Sequence, residues 1–254
     1  MATSAERRRR IYDILLDEKS VEVNELSKSF DVSTMTIRRD LAIFEKQGIV
    51  STNYGGAQLN EGTAIEPSFS LKSGQMAEKK KTMGYEASKL IQDGESVIID
   101  CGTTTLQTAK HLQGKRITVI TNSLVVGNIL QGYPKIKLIM APGIYDEKSA
   151  GFIGAMTIDF FHKFNADKAF IGAQGFDLCR GVTVPDELDA EVKKAMAVSS
   201  KQKILIAGHE KCGVSFFSKI LDIDELDFII TDDLLGKKDA DALRQKGVNV
   251  ITAH

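Results

Sequence analysis

Apolar side chains recur at helical spacing in short bursts along the first 60 residues. Ile11, Ile14 and Leu15 mark one amphipathic helix. Leu26 and Phe30, at i and i+4, mark a second, with Asn24 placed to cap it. Ile37, Leu41 and Phe44, at i, i+4 and i+7, mark a third. Ser33 precedes the third helix where an N-cap belongs, and Gly48 follows it where a helix is commonly stopped. Residues 49–59 then carry a short β pattern interrupted by Gly55 and Gly56, a pair able to turn a hairpin. Three short helices followed by a hairpin predict a winged helix-turn-helix over residues 1–59.

From 60 to 75 the chain is polar and without sustained period, with Gly62, Pro67 and Gly74, which predicts a linker. Beyond it apolar runs of strand length alternate with helical patterns. The expected strands are Val97–Ile99, Ile117–Ile120, Ile136–Met140, Lys168–Ile171, Ile204–Ala207, Phe228–Ile230 and Val248–Ile251. The expected helices are Glu78–Ile91, Leu106–Leu112, Leu124–Leu130, Ala190–Val198 and Asp239–Gln245. Strand-helix alternation over residues 76–254 predicts an α/β domain with a mostly parallel sheet.

Composition narrows the class without naming a function. With 43% hydrophobic and 26% charged side chains, the 254-residue chain is neither disordered nor fibrous. No apolar run approaches the ~18 residues of a membrane span, and the basic N-terminal cluster lacks the apolar stretch of a secretory signal. Cys101, Cys179 and Cys212 are widely spaced, and the four histidines show no metal-ligand spacing, so no disulfide framework, metal or cofactor is expected. These features together give a cytoplasmic protein as the expectation. Charge is close to balanced, with Lys+Arg 33 against Asp+Glu 34, and the first 60 residues balance as well. Nucleic-acid binding would therefore depend on where the charges stand and not on their sum.

At about 100° per residue, the buried face of the third helix leaves Met35, Thr36 and Arg39 turned outward near its N-terminus, with Arg38 to one side. That is how a recognition helix meets the major groove: early side chains reach base edges while amides face phosphate. The alternative is a solvated face whose arginines pair with Glu45 or Asp40. The stretch Ser33 to Leu41 (STMTIRRDL), followed by Gly48 and Tyr54 to Ala57 (YGGA), resembles the DNA-binding signature of the DeoR family of transcriptional regulators. Val23 to Val32 (VNELSKSFDV) is similar to that family's second helix. The resemblance implies DNA contact by Ser33, Thr34, Met35, Thr36, Arg38, Arg39, Tyr54 and Gly55. Ser51, Thr52 and Tyr54 stand where relatives usually carry arginine or histidine, which removes phosphate-binding charge from the wing.

Asp100 to Thr105 (DCGTTT) lies between an apolar strand and a helix. Small residues and hydroxyls at such a turn suit a phosphate cradle, although an ordinary Asp/Thr helix cap reads equally well. It is neither a P-loop nor a dinucleotide fingerprint. A second strand ends at Thr121 and Asn122, and ligand sites of open α/β sheets gather at such carboxyl ends. Residues 78–254 resemble the DeoR effector domain, through Asp100 to Thr104, Thr121–Asn122, Ala169 to Gly175 (AFIGAQG), Glu191, Lys193 and Lys211. The resemblance implies a ribose-phosphate isomerase/CoA-transferase-like fold that senses phosphorylated sugars. It makes Asp100, Gly102, Thr103, Thr104, Thr105, Thr121, Asn122, Glu191 and Lys211 candidate effector residues. Pro142 and Gly208 depart from the family's usual Gly and Asp. The rival reading is a sugar-phosphate isomerase with a DNA-binding extension. It needs a positioned carboxylate, and the acidic run of the isomerases is here Ile171 to Gly175 (IGAQG). The expectation is accordingly a non-enzymatic, sugar-responsive repressor. Its partners would be double-stranded operator DNA, a phosphorylated sugar and a second or further copies of itself, as homodimer or homotetramer, and no membrane.

Overall fold

The apolar runs beyond residue 95 become the strands of one parallel sheet, and the short helices before residue 50 pack around a separate core. The computed structural model describes residues 3–62 and 64–254. Residues 1 and 2 of the expected first domain and residue 63 of the expected linker lie outside the described residues. The chain divides between Gln75 and Met76 into two units.

In the first unit α1 (Ser4–Glu18), α2 (Val23–Phe30) and α3 (Thr34–Lys46) enclose Ile11, Leu15, Leu26, Ile37, Leu41 and Phe44. Ser33 caps α3 as expected, accepting the Thr36 N–H at 3.2 Å. Gly48 takes φ +72° just past the end of α3, a conformation that costs glycine nothing. Asn24 does not cap α2, which already begins at Val23. The wing has three strands, because β1 (Ser20–Glu22) pairs antiparallel with β3 (Gly56–Leu59), which also pairs with β2 (Val50–Thr52). Arg7 donates to the buried Asp40 at 2.7 Å, which ties α1 to the back of α3. The expected linker is corrected in part. Residues Phe69–Gly74 form α4, and Leu71 is buried in this core, so an apolar contact overrides the polar composition around it.

The second unit holds a seven-stranded parallel sheet in the order β15-β14-β12-β9-β4-β5-β6. Its strands are β4 (Ser96–Ile99), β5 (Thr118–Thr121), β6 (Lys137–Met140), β9 (Ala166–Gly172), β12 (Ser200–Ile206), β14 (Phe228–Asp232) and β15 (Asn249–Ala253). The chain runs outward from β4 through β5 to β6. Later it returns to lay β9 on the other side of β4, and it then runs outward again. The β4–β9 boundary is therefore the topological switch point, where the connections leave in opposite directions, the place at which open α/β sheets bind ligands beyond the carboxyl ends of their strands.

Helices α5 (Ala77–Lys89), α6 (Thr105–Lys110), α7 (Leu124–Leu130), α9 (Glu187–Val198) and α10 (Lys237–Gln245) match the expected periodic segments in place. The hairpin of β7 (Ile144–Asp146) and β8 (Gly151–Ile153), helix α8 (Ala155–Phe161), and the sheet of β10 (Gly175–Asp177), β11 (Gly181–Val184) and β13 (Ser218–Leu221) were not expected. Each is too short to show a period. The consecutive Lys79, Lys80 and Lys81 do not share one solvated face. Lys79 pairs with Asp233 at 2.8 Å, Lys80 is buried, and Lys81 pairs with Glu78.

Candidate DNA-reading surface and ligand site

On the first unit, α3 presents Thr34, Met35 and Arg39 to solvent, with Thr36 half-buried beside the cap. Met35 is 57% exposed. Among the described residues Arg39 has no acidic partner and no hydrogen bond, because the acids that competed for it are taken. Asp40 holds Arg7 at 2.7 Å and Arg8 at 3.9 Å. Glu45 accepts the Thr52 N–H at 3.1 Å and the Thr52 hydroxyl. Those two bonds hold the Glu45 carboxyl below the usual carboxylate range. Arg38 behaves differently from Arg39. Its Nη2 donates to the Tyr54 carbonyl at 3.0 Å and its guanidinium lies 5.8 Å from the Tyr54 ring centroid.

Of the neutral wing residues, Thr52 fastens the wing to α3 and the others bond within the wing. Thr52 serves Glu45, Ser51 donates to Asn60 Oδ1 at 2.7 Å, and Asn53 Oδ1 accepts the N–H groups of Gly55 and Gly56. Tyr54 is left 95% exposed at the tip beside Gly55. Gly56 is obligatory here: a Cβ would run into the Val21 carbonyl oxygen and stand 3.0 Å from its carbon.

On the second unit the site forms at the switch point. Asp100 ends β4 and its side chain is 0% exposed. Its Oδ1 accepts the Cys101 N–H at 2.7 Å. Its Oδ2 accepts the Gly172 N–H at 2.9 Å and the Lys193 ammonium at 2.5 Å. Asp189, one turn before Lys193 on α9, stands 3.6 Å from the same ammonium. Asp100, Cys101 and Asp189 have donor atoms close enough to surround a cation, and the Lys193 ammonium is that cation. Burial pushes the Asp100 carboxyl up, but the Lys193 charge and the donated bonds outweigh it and leave the group below its ordinary value. Burial and the Asp100 charge both push the Cys101 thiol up, so it stays a protonated, inert packing group.

This node fixes the turn above it. The Thr105 hydroxyl donates to the carbonyls of Asp100 and Gly102, at 3.0 and 2.9 Å. The backbone N–H groups of Gly102, Thr103, Thr104 and Thr105 have no acceptor among the described residues. Nor do the hydroxyls of Thr103 and Thr104 make a hydrogen bond there. Gly102 faces Gly172 across the crevice, where a Cβ on Gly102 would come 3.7 Å from the Gly172 Cα. Lys211 reaches the carbonyl of Ala173, the residue after Gly172, at 2.6 Å.

The remaining candidates separate clearly. Thr121 is fully buried, donating to Ile99 and accepting the Ser123 N–H. Asn122 Nδ2 donates to the Phe152 carbonyl at 2.9 Å, while its buried Oδ1 has no partner among the described residues. Glu191 is not at the site: it faces solvent on α9 and pairs with Lys194. Lys193, noticed in the sequence only as part of a motif, is the α9 residue that enters the site. In the stretch Ile171 to Gly175, the Gly172 N–H donates to Asp100 Oδ2 at 2.9 Å and Gln174 carries a neutral amide side chain.

Residues 7–63 match the DeoR-like helix-turn-helix domain, and residues 75–233 match the DeoR C-terminal sensor domain. A protein of Escherichia coli O157:H7 that is named as an aga operon transcriptional repressor is 36% identical over 252 residues, covering 98% of this chain and 93% of its own. The HTH-type transcriptional repressor GlcR of Bacillus subtilis is 32% identical, covering 95% and 93%. Among solved structures, ribose 5-phosphate isomerase A of Methanocaldococcus jannaschii aligns over 54% of each chain, with 15% identity and a TM-score of 0.40.

Proposed function

The chain belongs to the DeoR family of transcriptional regulators, and from that premise we propose that it represses a carbohydrate-catabolism operon and is released from its operator by a phosphorylated sugar. The observation that carries the effector half is the run of four unaccepted N–H groups at Gly102–Thr105, set at the switch point of the sheet. Consecutive amides without acceptors are suited to an anion-binding nest, and Lys211, which follows β12 and reaches the Ala173 carbonyl after β9, brings a cation toward it. Asp100, Thr105 and Thr121 serve as scaffold in this reading. Gly102, Thr103, Thr104 and Asn122 are the groups left to meet a ligand, with Lys211 held beside them on the Ala173 carbonyl.

For DNA, Met35, Thr36 and Arg39 read base edges, and Ser33 and Thr34 approach the backbone at the helix start. Arg38 holds Tyr54 and Gly55 where the wing meets the duplex. A single winged helix grips one half-site weakly, so the operator is symmetric and the repressor at least a dimer. Release is linkage: effector binds the low-affinity arrangement better, and operator reciprocally weakens effector. Lys79, in the first turn of α5, pairs with Asp232 and Asp233. Asp232 also takes the His209 N–H, two residues before Lys211. The effector crevice is thus connected by ion pairs and hydrogen bonds to the segment where the second unit begins.

The test is operator release measured against sugar concentration. A phosphorylated sugar should release the operator, and its unphosphorylated parent should not. Gly102→Ala, whose Cβ would stand 3.1 Å from Thr105 Oγ1 and 3.3 Å from Asp100 Oδ2, should bind operator normally yet need more effector. Equal release by the unphosphorylated sugar would refute the cradle. Multiple turnovers of a sugar phosphate would refute the non-enzymatic reading.

A further inference from the structure

The β7–β8 hairpin is fastened to the body of the second unit at Asn122, whose carbonyl accepts the Phe152 N–H and whose Nδ2 donates to the Phe152 carbonyl, both at 2.9 Å. Both backbone groups of Phe152 therefore point away from β7. Tyr145 is the residue directly opposite Phe152. Opposed residues of an antiparallel pair turn their backbone groups either toward each other or apart, so the N–H and carbonyl of Tyr145 point away from β8, toward the free edge of β7. Neither has a hydrogen-bond partner among the described residues.

The side chains along this edge are apolar and uncovered. Ile144 is 72% exposed, Tyr145 49% and Met156 65%. Ile144 lies beside the start of α8: its Cδ1 is 4.0 Å from where a Cβ on Gly154 would stand, and the Thr157 hydroxyl donates to the Pro142 carbonyl at 2.8 Å. Met156, between Gly154 and Thr157, continues the surface that Ile144 begins. Tyr145 stands on the other face of the ribbon, its ring edge-on to Phe152 at 6.2 Å. A partner lying flat on one face would cover Ile144 or Tyr145 but not both. A strand laid along the edge reaches both faces and the two free backbone groups. The hairpin is shaped for it in advance, because Asp146 Oδ2 accepts the Ser149 N–H at 2.8 Å and holds the turn, so little ordering is needed on docking.

We propose that the β7 edge pairs antiparallel with the β7 edge of a second copy of this chain, Tyr145 opposite the second copy's Tyr145, joining two hairpins into one four-stranded sheet. The occupant is a second copy because the edge is complementary to itself. Under a two-fold axis at Tyr145 each free N–H meets a free carbonyl, and the apolar flanks meet each other. An apolar edge left open invites aggregation, which native proteins prevent with lysine or proline in the strand, and β7 contains neither. The inference rests on the reading that at least two copies bind a symmetric operator, and it assigns where they meet.

Sedimentation of the full-length protein tests this. Wild type should be a dimer or larger. In the proposed register Ile144 faces the second copy's Asp146. Ile144→Asp sets like charges opposite each other twice and should weaken self-association by about tenfold or more, shifting the population toward species of half the wild-type mass. Ile144→Lys, which sets an ammonium opposite the same acid, should weaken it less. Val198→Asp, at an equally exposed position on α9, should change nothing. Far-UV circular dichroism of each variant confirms the fold. Paired in this way, the two copies of residue 145 have Cα atoms about 5.5 Å apart. Tyr145→Cys in a Cys179→Ser background should therefore be captured as a covalent dimer by a short bis-maleimide linker, and Cys179→Ser alone should not. An oligomeric wild type whose mass survives Ile144→Asp, an Ile144→Lys loss as large as the Ile144→Asp loss, an equal loss in Val198→Asp, or a Tyr145→Cys protein that gives no covalent dimer overturns the pairing and leaves the need for two copies intact. A wild type that stays monomeric at every concentration refutes that reading and the pairing together.

Discussion

Lys193→Met tests the buried node directly. Methionine keeps the unbranched stem and most of the volume while deleting the charge. In the wild type the ammonium lies 2.5 Å from Asp100 Oδ2 and 3.6 Å from Asp189 Oδ1, with all three side chains buried. The variant leaves the buried Asp100 without its counter-charge, with the N–H groups of Cys101 and Gly172 and the Cys101 thiol as its remaining donors. Removing one partner of a buried pair costs about 3–5 kcal/mol. For a unit of this size each kcal/mol lowers the melting temperature by about 2–4 °C, so the second unit should melt roughly 6–20 °C earlier.

The pH dependence distinguishes this cause from simple loss of packing. In the wild type the Asp100 carboxyl sits below its ordinary value, since Lys193 outweighs burial. Its contribution is present above the unfolded carboxylate range near pH 4 and is lost as pH falls through the lowered folded value. Lys193 is raised: burial opposes its charge, and Asp100 and Asp189 more than restore it. Its contribution is present below the unfolded lysine value and fades only in strong alkali. Without Lys193, burial governs Asp100 and raises its carboxyl, so the variant gains relative to wild type as pH falls from 8 toward 5. Thermal melts across that range should show the gap narrowing. Asp100→Asn in the Lys193→Met background should restore part of the loss, and Glu191→Ala should change stability by no more than about 0.5 kcal/mol. A Lys193→Met protein that melts within about 2 °C of wild type, or whose deficit deepens on acidification, would refute the node.

Arg39→Ala should lose about 1–3 kcal/mol of operator affinity and relax preference at one base pair. Its melting temperature should not change, since Arg39 is exposed and unpaired among the described residues. Gel shifts with singly substituted operators check this, and an unchanged preference would remove Arg39 as the reading residue. Gly56→Ala should destabilise the first unit by about 1–3 kcal/mol, because its Cβ meets the Val21 carbonyl that pairs β1 with β3. A first unit that melts as wild type would show that the wing yields freely at that point.

The sequence made legible those parts of the fold whose period is local and long enough to count. Ile37, Leu41 and Phe44 placed the third helix, Ser33 and Gly48 marked its ends, and the seven apolar runs became the seven parallel strands. Strands of three or four residues such as β7, β10 and β13 have no period to read. Strand β1 follows directly after α1 and Lys19, and its partner β3 lies more than 30 residues away. Phe69–Gly74 passed as linker because one buried residue, Leu71, anchors it to the core.

The site was harder to read because it depends on which strands are neighbours. Asp100 meets Gly172 across 72 residues and Lys193 across 93, and no local pattern states that β9 lies against β4. The turn at Asp100 to Thr105 announced itself through composition, yet composition could not separate scaffold from ligand groups. Asp100 and Thr105 look as suited to a phosphate as Thr103 and Thr104 do, and only their partners reveal that they are already spent. One signal was available on α9. Asp189, Val192, Lys193 and Met196 fall at i, i+3, i+4 and i+7, and that whole face is buried, while Glu191 turns to the far side. A lysine on an otherwise apolar face, with an aspartate one turn before it, requires a further buried acid. The acid at the end of an apolar strand was the obvious claimant. Helical phase therefore favoured Lys193 over Glu191 on physical grounds, and the resemblance to a family motif, which marks both residues alike, could not choose between them.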